Sequence, residues 1–233
     1  MEADRTLFAW EWLRRDSEYR TAAKAALADQ AESERAAAFG LVRFETPYLK
    51  VPFARPLWRS EVDPHVLTVC GEAKGAPHDL FDLRRFARLA RLSKSVDRES
   101  LLLCDGLHAV RLDGPTGTFT NGPVCLRYTI YGLASGEPHS LALRRFMAVC
   151  KTGRFSRVLH RTEVRARRWI LILRAWDALS AGASQREIAE ALLSRSVGEP
   201  RWRSRVASIR SQVQRLVRSA RAIAGGGYRA MLR

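Results

Sequence analysis

The sequence predicts an α+β protein with a helical N-terminal segment, a small antiparallel sheet in the middle, and an all-helical C-terminal part. Three observations carry this. Apolar residues recur at helical spacing near both ends. Short β-branched and apolar runs, closed by glycine turns, are confined to the middle. The charge is also segregated: Leu141–Arg233 holds 21 Lys and Arg against 5 Asp and Glu, while the residues before it hold 19 of each. A length of 233 residues accommodates more than one compact unit. The expected division is 1–60, helical; 61–136, mostly antiparallel β; and 137–233, helical.

The first third reads as helix because Leu7, Trp10, Leu13, Tyr19 and Ala23 are spaced three to four apart or nearly so. Asp16 ahead of Ser17-Glu18 resembles an N-cap, so two helices with a break are expected there. Gly40 is a natural stop. From Thr46 to Pro64 come Pro47, Pro52, Pro56 and Pro64, interleaved with Tyr48, Phe53 and Trp58. Aromatic residues argue for an irregular segment packed onto a surface rather than a free linker.

His65–Cys70 is a strand-like run closed by Gly71. Leu101–Cys104, Asp105-Gly106 and Leu107–Leu112 read as a hairpin, since Asp-Gly between two apolar runs is a strong turn signal. Val124–Tyr131 supplies another strand, and a helix is expected over Leu80–Leu92. After Glu137-Pro138 the period is helical again. Leu141, Leu143, Phe146, Met147 and Cys150 mark one helix, and Thr162–Leu179 forms a second.

Most catalytic classes lack their residues. The sequence has no P-loop, no G-x-G-x-x-G and no G-x-S-x-G. The five histidines are scattered, and Cys70, Cys104, Cys125 and Cys150 form no C-x-x-C, so reduced core thiols are expected rather than zinc ligands. No cofactor or metal is expected. No apolar run reaches the length of a membrane span. The acidic start MEADRTLFAWEW is unlike a secretory leader, and a cytoplasmic location is expected.

The segment Trp169–Tyr228 carries the functional signal. After Ala181-Gly182-Ala183, the run Ser184-Gln185-Arg186-Glu187 has the form of a capping box. Ile188, Ala189, Leu192 and Leu193 then give a short apolar face. This is how the first half of many helix-turn-helix units looks. In RWRSRVASIRSQVQRLVRSARAIAGGGYR, Val206, Ile209, Val213, Leu216, Val217, Ala220 and Ile223 form one stripe. Ser204, Ala207, Ser208, Ser211, Arg215 and Arg218 lie opposite, flanked by Arg205, Arg210 and Gln214. There is no acid from Arg201 to Arg233 to pair with these arginines. A face built only for solubility mixes both signs. Trp202 is expected to anchor the start of this helix in the core, and the triple glycine to end it. Tyr228 is expected to pack back on the last turn. The alternative role, a recombinase nucleophile, lacks an accompanying H-x-x-R cluster.

ASQREIAEALL, Trp202 and IRSQVQRLVRSARAIAGGGYRAML together resemble a proteobacterial domain family viewed as a variant helix-turn-helix. FAWEWLRRDSEYR, at Phe8–Arg20, resembles the short transcriptional regulator-like domain that often precedes it. Proteins so built include FseA-type activators of excision and transfer genes in integrative and conjugative elements, and RovC-type activators of type VI secretion genes. The resemblance implies a transcription factor, an activator and a homo-oligomer, with some relatives held inactive by a small antiactivator protein. On this reading double-stranded DNA is the main partner. The neutral first part contacts RNA polymerase, a regulator or another copy. Arg203, Ser204, Ser208 and Ser211 are expected to read base edges. Gln185, Arg186, Arg201, Arg205, Arg210, Arg215 and Arg218 are expected to hold phosphates. The rival class is an adaptor or antiactivator whose basic end binds an acidic protein. A DNA-processing enzyme is disfavoured by the missing catalytic clusters.

Overall fold

The structure, a computed structural model, describes residues 4–26, 32–160, 163–193 and 202–232, with side chains from residue 208 onward in the last stretch. Helices α1 (Arg5–Leu13), α2 (Ser17–Ala26) and α3 (Glu32–Ala38) open the chain. The break between the first two lies where Asp16 predicts it. Its carboxylate accepts the backbone N–H of Glu18 at 2.8 Å and of Tyr19 at 3.1 Å, satisfying donors that a helix start leaves free.

Residues 46–64 form turns, with one isolated bridge from Leu41 to Trp58 nearby. They are tied down, but of the three aromatics that predict packing only Trp58 is buried, while Tyr48 and Phe53 are exposed. Trp10 Nε1 donates to the Leu49 carbonyl at 3.0 Å, and the Tyr19 hydroxyl donates to the Glu45 carbonyl at 2.6 Å. The buried Glu45 carboxylate accepts the N–H groups of Thr46 and Arg55, each at 3.0 Å. A buried carboxylate persists where such donors replace its water.

The sheet comprises β1 (Leu67–Glu72), β2 (Leu80–Phe81), β3 (Ala90–Lys94), β4 (Arg98–Cys104), β5 (Ala109–Pro115) and β6 (Val124–Thr129), in the order β2-β6-β1-β5-β4-β3. It is six-stranded, larger than the small sheet expected. Its pairings are antiparallel except β1 with β5, which is parallel with Leu67 opposite Leu112. The helix expected over Leu80–Leu92 is not present. That stretch holds β2, a single 3-10 turn at Leu83–Phe86, and part of β3. Its apolar spacing suits a helix, but Asp82 caps only one turn, accepting the Arg84 N–H at 3.0 Å. Cross-strand pairing then takes over, with Phe81 opposite Val124 and Leu92 opposite Leu101. Sheet context overrides local preference here.

Strand β4 is covered on both faces, which accounts for its unbroken apolar run. Leu101 and Leu103 join a core with Phe81, Phe119 and residues of α4 (Leu133–Thr152). Leu102 and Cys104 face the other way, toward Leu57. Helix α4 starts before Pro138 rather than after it, with Gly132 at φ +77° as its N-cap. Pro138 is the sixth residue of this helix, past its first turn, so the bond its N–H would send to the Ala134 carbonyl is missing.

Helices α5 (Ala166–Ser180), α6 (Gln185–Leu193) and α7 (Trp202–Ala224) follow, then a 3-10 turn at Gly227–Met231. The first helix packs against this end of the chain. Phe8 meets Trp169 edge-on at 5.1 Å, and Trp12 lies 6.4 Å from Trp176. Tyr228 and Met231 are buried in the same core. Two ion pairs brace the contact, Arg5 to Glu163 and Arg15 to Asp177, both at 2.5 Å. No helix among the described residues is long and apolar enough to cross a membrane.

Candidate nucleic-acid interface

The site is built from α5, α6 and α7, which close on a small core of Ala175, Ile188, Val213 and Val217. The turn from α5 to α6 is set by its sequence at both ends. Gly182, at φ +86°, sends its N–H to the Leu179 carbonyl at 3.0 Å, and Ala183 sends its N–H to Ala178 at 2.9 Å. This is a Schellman arrangement, which needs a left-handed residue where glycine stands. The capping box follows at once. The Ser184 N–H donates to the Glu187 carboxylate at 2.8 Å, and the Glu187 N–H donates to Ser184 Oγ at 3.3 Å. The Ser184 hydroxyl donates to the same carboxylate at 2.7 Å, and together with the Ser184 N–H it holds the Glu187 carboxyl below the usual carboxylate range.

On α7 the apolar stripe is buried as its spacing predicts. Val213, Val217 and Ala220 are enclosed, and Ile209, Leu216 and Ile223 are half-buried. Ser208, Arg210, Ser211, Arg215 and Arg218 are all exposed, and so are Gln185 and Arg186 on α6. Arg201 lies outside the described residues. Arg203, Ser204 and Arg205 lie in the first turn of α7, and their side chains, like those of Trp202 and Val206, are outside the described ones.

The structure brings Gln185 together with Gln214, Val217, Arg218 and Arg221 along one groove between the start of α6 and the middle of α7. It does not leave every predicted contact unengaged. Arg186 pairs with Glu190 at 2.9 Å along the helix, and the Ser208 hydroxyl accepts the Gln212 amide at 3.4 Å. Arg221 and Gln212 were not among the predicted site residues. The signal for Arg221 was its spacing, three residues after Arg218 and seven after Gln214. The signal for Gln212 was its type, an amide suited to adenine.

The electrostatics follow from where the acids went. Glu163 pairs with Arg5, Asp177 with Arg15, Glu187 with its own cap and Glu190 with Arg186. No described acid lies within salt-bridge distance of Arg210, Arg215, Arg218 or Arg221, which therefore present uncompensated positive charge. Tyr228, 3% exposed, is enclosed in the core, and burial pushes its hydroxyl pKa up. That fits packing on the last turn and not nucleophilic attack. No group of three or more metal-ligating side chains occurs among the described residues.

Residues 136–233 match the family described as T6SS, transcription factor, DNA binding domain. Residues 1–42 match the family described as proteobacterial transcriptional regulator-like domain. Curated proteins and solved structures return no match. The two family matches indicate a DNA-binding transcription factor of proteobacterial type.

Proposed function

We propose that this chain, whose ends match the T6SS transcription-factor DNA-binding family and the proteobacterial transcriptional regulator-like family, reads duplex DNA with α7 in a variant helix-turn-helix. It acts as an activator of type VI secretion genes or of mobile-element excision and transfer genes, in the cytoplasm and as a homo-oligomer. The observation that carries the DNA-reading part is the exposed face of α7, cationic and unopposed by acid, set above a stripe that α5 and α6 lock in place.

In this reading Arg203, Ser204, Ser208 and Ser211 approach base edges in the major groove, with Gln212 beside them. Arg201, Arg205, Arg210, Arg215, Arg218 and Arg221 meet phosphates. The groove between α6 and α7 seats one phosphate, held by Gln185, Arg218 and the positive end of α6. Arg186 reaches phosphate only by leaving Glu190. The neutral N-terminal part contacts RNA polymerase, an antiactivator or another copy.

Binding to DNA from upstream of candidate target genes, measured by fluorescence anisotropy across salt, tests this. With about six phosphate contacts, the log–log slope of affinity against salt is about −5. Arg215→Ala reduces that slope by about one and weakens specific and unrelated duplexes alike, whereas Arg203→Ala also blurs sequence preference. An affinity that ignores salt removes the phosphate argument. If an acidic protein partner binds while DNA does not, the adaptor reading replaces this one.

A further inference from the structure

Two buried histidines meet outside the DNA-reading helices. His108 ends the turn between β4 and β5 and is 6% exposed, and His160 lies on the connection between α4 and α5 and is 5% exposed. Their ring centroids are 4.8 Å apart, and the Phe155 ring stands against both, at 6.1 and 5.5 Å. Each histidine follows a residue whose carbonyl holds a neighbouring element. The Leu107 carbonyl accepts the Asp4 N–H, at the start of α1, at 2.9 Å. The Leu159 carbonyl accepts Arg145 Nε, from α4, at 2.9 Å. The two rings therefore lie at a seam that joins the start of α1, the sheet and the connection leading into α5.

The hydrogen bonds of the pair fix where its protons sit. His160 Nδ1 lies 3.0 Å from the Ser156 carbonyl, which only accepts, so Nδ1 carries the proton. His108 Nδ1 lies 3.1 Å from the Asp105 carboxylate and donates in the same way. Both Nε2 atoms are buried, and neither has a hydrogen-bond partner among the described residues. Two neutral rings pack here without charge. A proton added at His160 Nε2 is a buried charge with no acceptor, set against a second imidazole. The neighbouring charges do not compensate it. Arg145 repels it, and Asp4, which attracts it, faces Arg145 at 3.9 Å. Asp105 is bonded to His108, and Glu163, three residues further along the chain, is bonded to Arg5. Burial, with Arg145 and His108, holds the His160 ring below the ordinary imidazole pKa against the opposite pull of Ser156 and Asp4.

We propose that His108 and His160 form an acid-sensitive latch: a proton on His160 parts the two rings and releases the 155–160 connection and the start of α1. α1 shares a core with α5 and α7, so the closed latch steadies the helices that carry the cationic face. That last step rests on the DNA-reading proposal. On it, acid and duplex act in opposition, since DNA favours the closed form and protons favour the open one. The arginines of α7 keep their charge throughout this range, so the pH response belongs to the latch and not to the DNA face.

The test is hydrogen–deuterium exchange of the full chain without DNA at pH 7.5 and pH 5.5, each rate divided by the intrinsic rate at that pH. A released His160 ring with the ordinary pKa of about 6.5 takes up a proton over this range, which raises the open population about tenfold. Peptides holding Asp4 and Leu159-His160 therefore lose about tenfold in protection, while peptides from β4 keep theirs. His160→Phe keeps an aromatic ring that cannot titrate, and its protection at these peptides is the same at both pH values. His160→Gln, which keeps an N–H for the Ser156 carbonyl, is likewise insensitive to pH. A saturating duplex from the anisotropy assay restores the parent's protection at pH 5.5. The latch is overturned if the parent is equally protected at both pH values, or if both variants lose protection in acid as the parent does. Bound duplex that leaves these peptides exposed overturns the coupling to DNA. A chain that opens in acid but binds no DNA at either pH supports the latch and overturns the DNA reading instead.

Discussion

At the residue scale, a side chain's exposure was readable from its spacing, but its partners were not. Ser211, Arg215 and Arg218 lie on the exposed face of α7 as their positions predict. The bond from Gln212 to Ser208 and the meeting of Gln185 with Arg218 depend on rotamers and on how two helices cross, and no periodicity encodes either. The clearest single-residue prediction concerns His160. It is 5% exposed, its ring lies 4.8 Å from that of His108, and its Nδ1 hydrogen-bonds the Ser156 carbonyl at 3.0 Å. Burial holds its pKa below the ordinary imidazole value, nearby Arg145 and His108 add to the effect, and Ser156 and Asp4 oppose it. The folded state therefore keeps the ring neutral where the unfolded chain takes up a proton. Its contribution to stability is full above about pH 6.5 and is lost as pH falls toward the folded value. Urea unfolding at pH 7.5 and at pH 5.5 gives a smaller drop in His160→Gln than in the parent. Equal drops in the two proteins remove His160 as a cause.

At the element scale, helices were more legible than strands, because a capped helix carries its start and stop in adjacent residues. The Schellman turn and the capping box between α5 and α6 occupy consecutive positions, and both were visible as Gly182 and Ser184-x-x-Glu187. β3 shows the opposite case. Its sequence, ARLSK, has no β-branched residue, and its register comes entirely from β4. The long apolar β4 and the Asp105-Gly106 turn were legible. The parallel pairing of β1 with β5 was not, since it joins residues far apart in sequence. Gly182 offers a clean test of the turn. A Cβ built there meets nothing within 4 Å, so Gly182→Ala costs only the left-handed backbone at φ +86°. That cost is about 1–2 kcal/mol. Thermal unfolding detects it, and DNA affinity well below the midpoint changes little. A neutral or stabilising alanine means that the turn adopts another conformation in solution.

At the scale of the whole molecule, charge and core divide the chain differently. Charge separates a neutral first part from a cationic last part, and composition alone shows this. The core joins the two ends. Leu7, Phe8 and Trp12 are buried with Trp169, Ile172, Tyr228 and Leu232 in one cluster. The periodicity marked each of these helices as amphipathic without showing which apolar faces meet, since that is a property of the tertiary fold. The consequence is that α5 and α7 depend on α1 for their packing. The Phe8 ring stands edge-on to Trp169 with 5% of its surface exposed, and Phe8→Ala removes about 3–5 kcal/mol of stability. Arg215→Ala, on an exposed face, leaves stability within about 0.5 kcal/mol while weakening DNA binding. The two variants therefore dissociate: one lowers the melting temperature and binds DNA normally when cold, the other melts normally and binds DNA poorly. Chemical denaturation alongside anisotropy at low temperature checks both. If Phe8→Ala melts like the parent, α1 does not share a core with the C-terminal helices. If it loses DNA affinity while still fully folded, the contact between α1 and α5 sets the reading geometry as well as the stability.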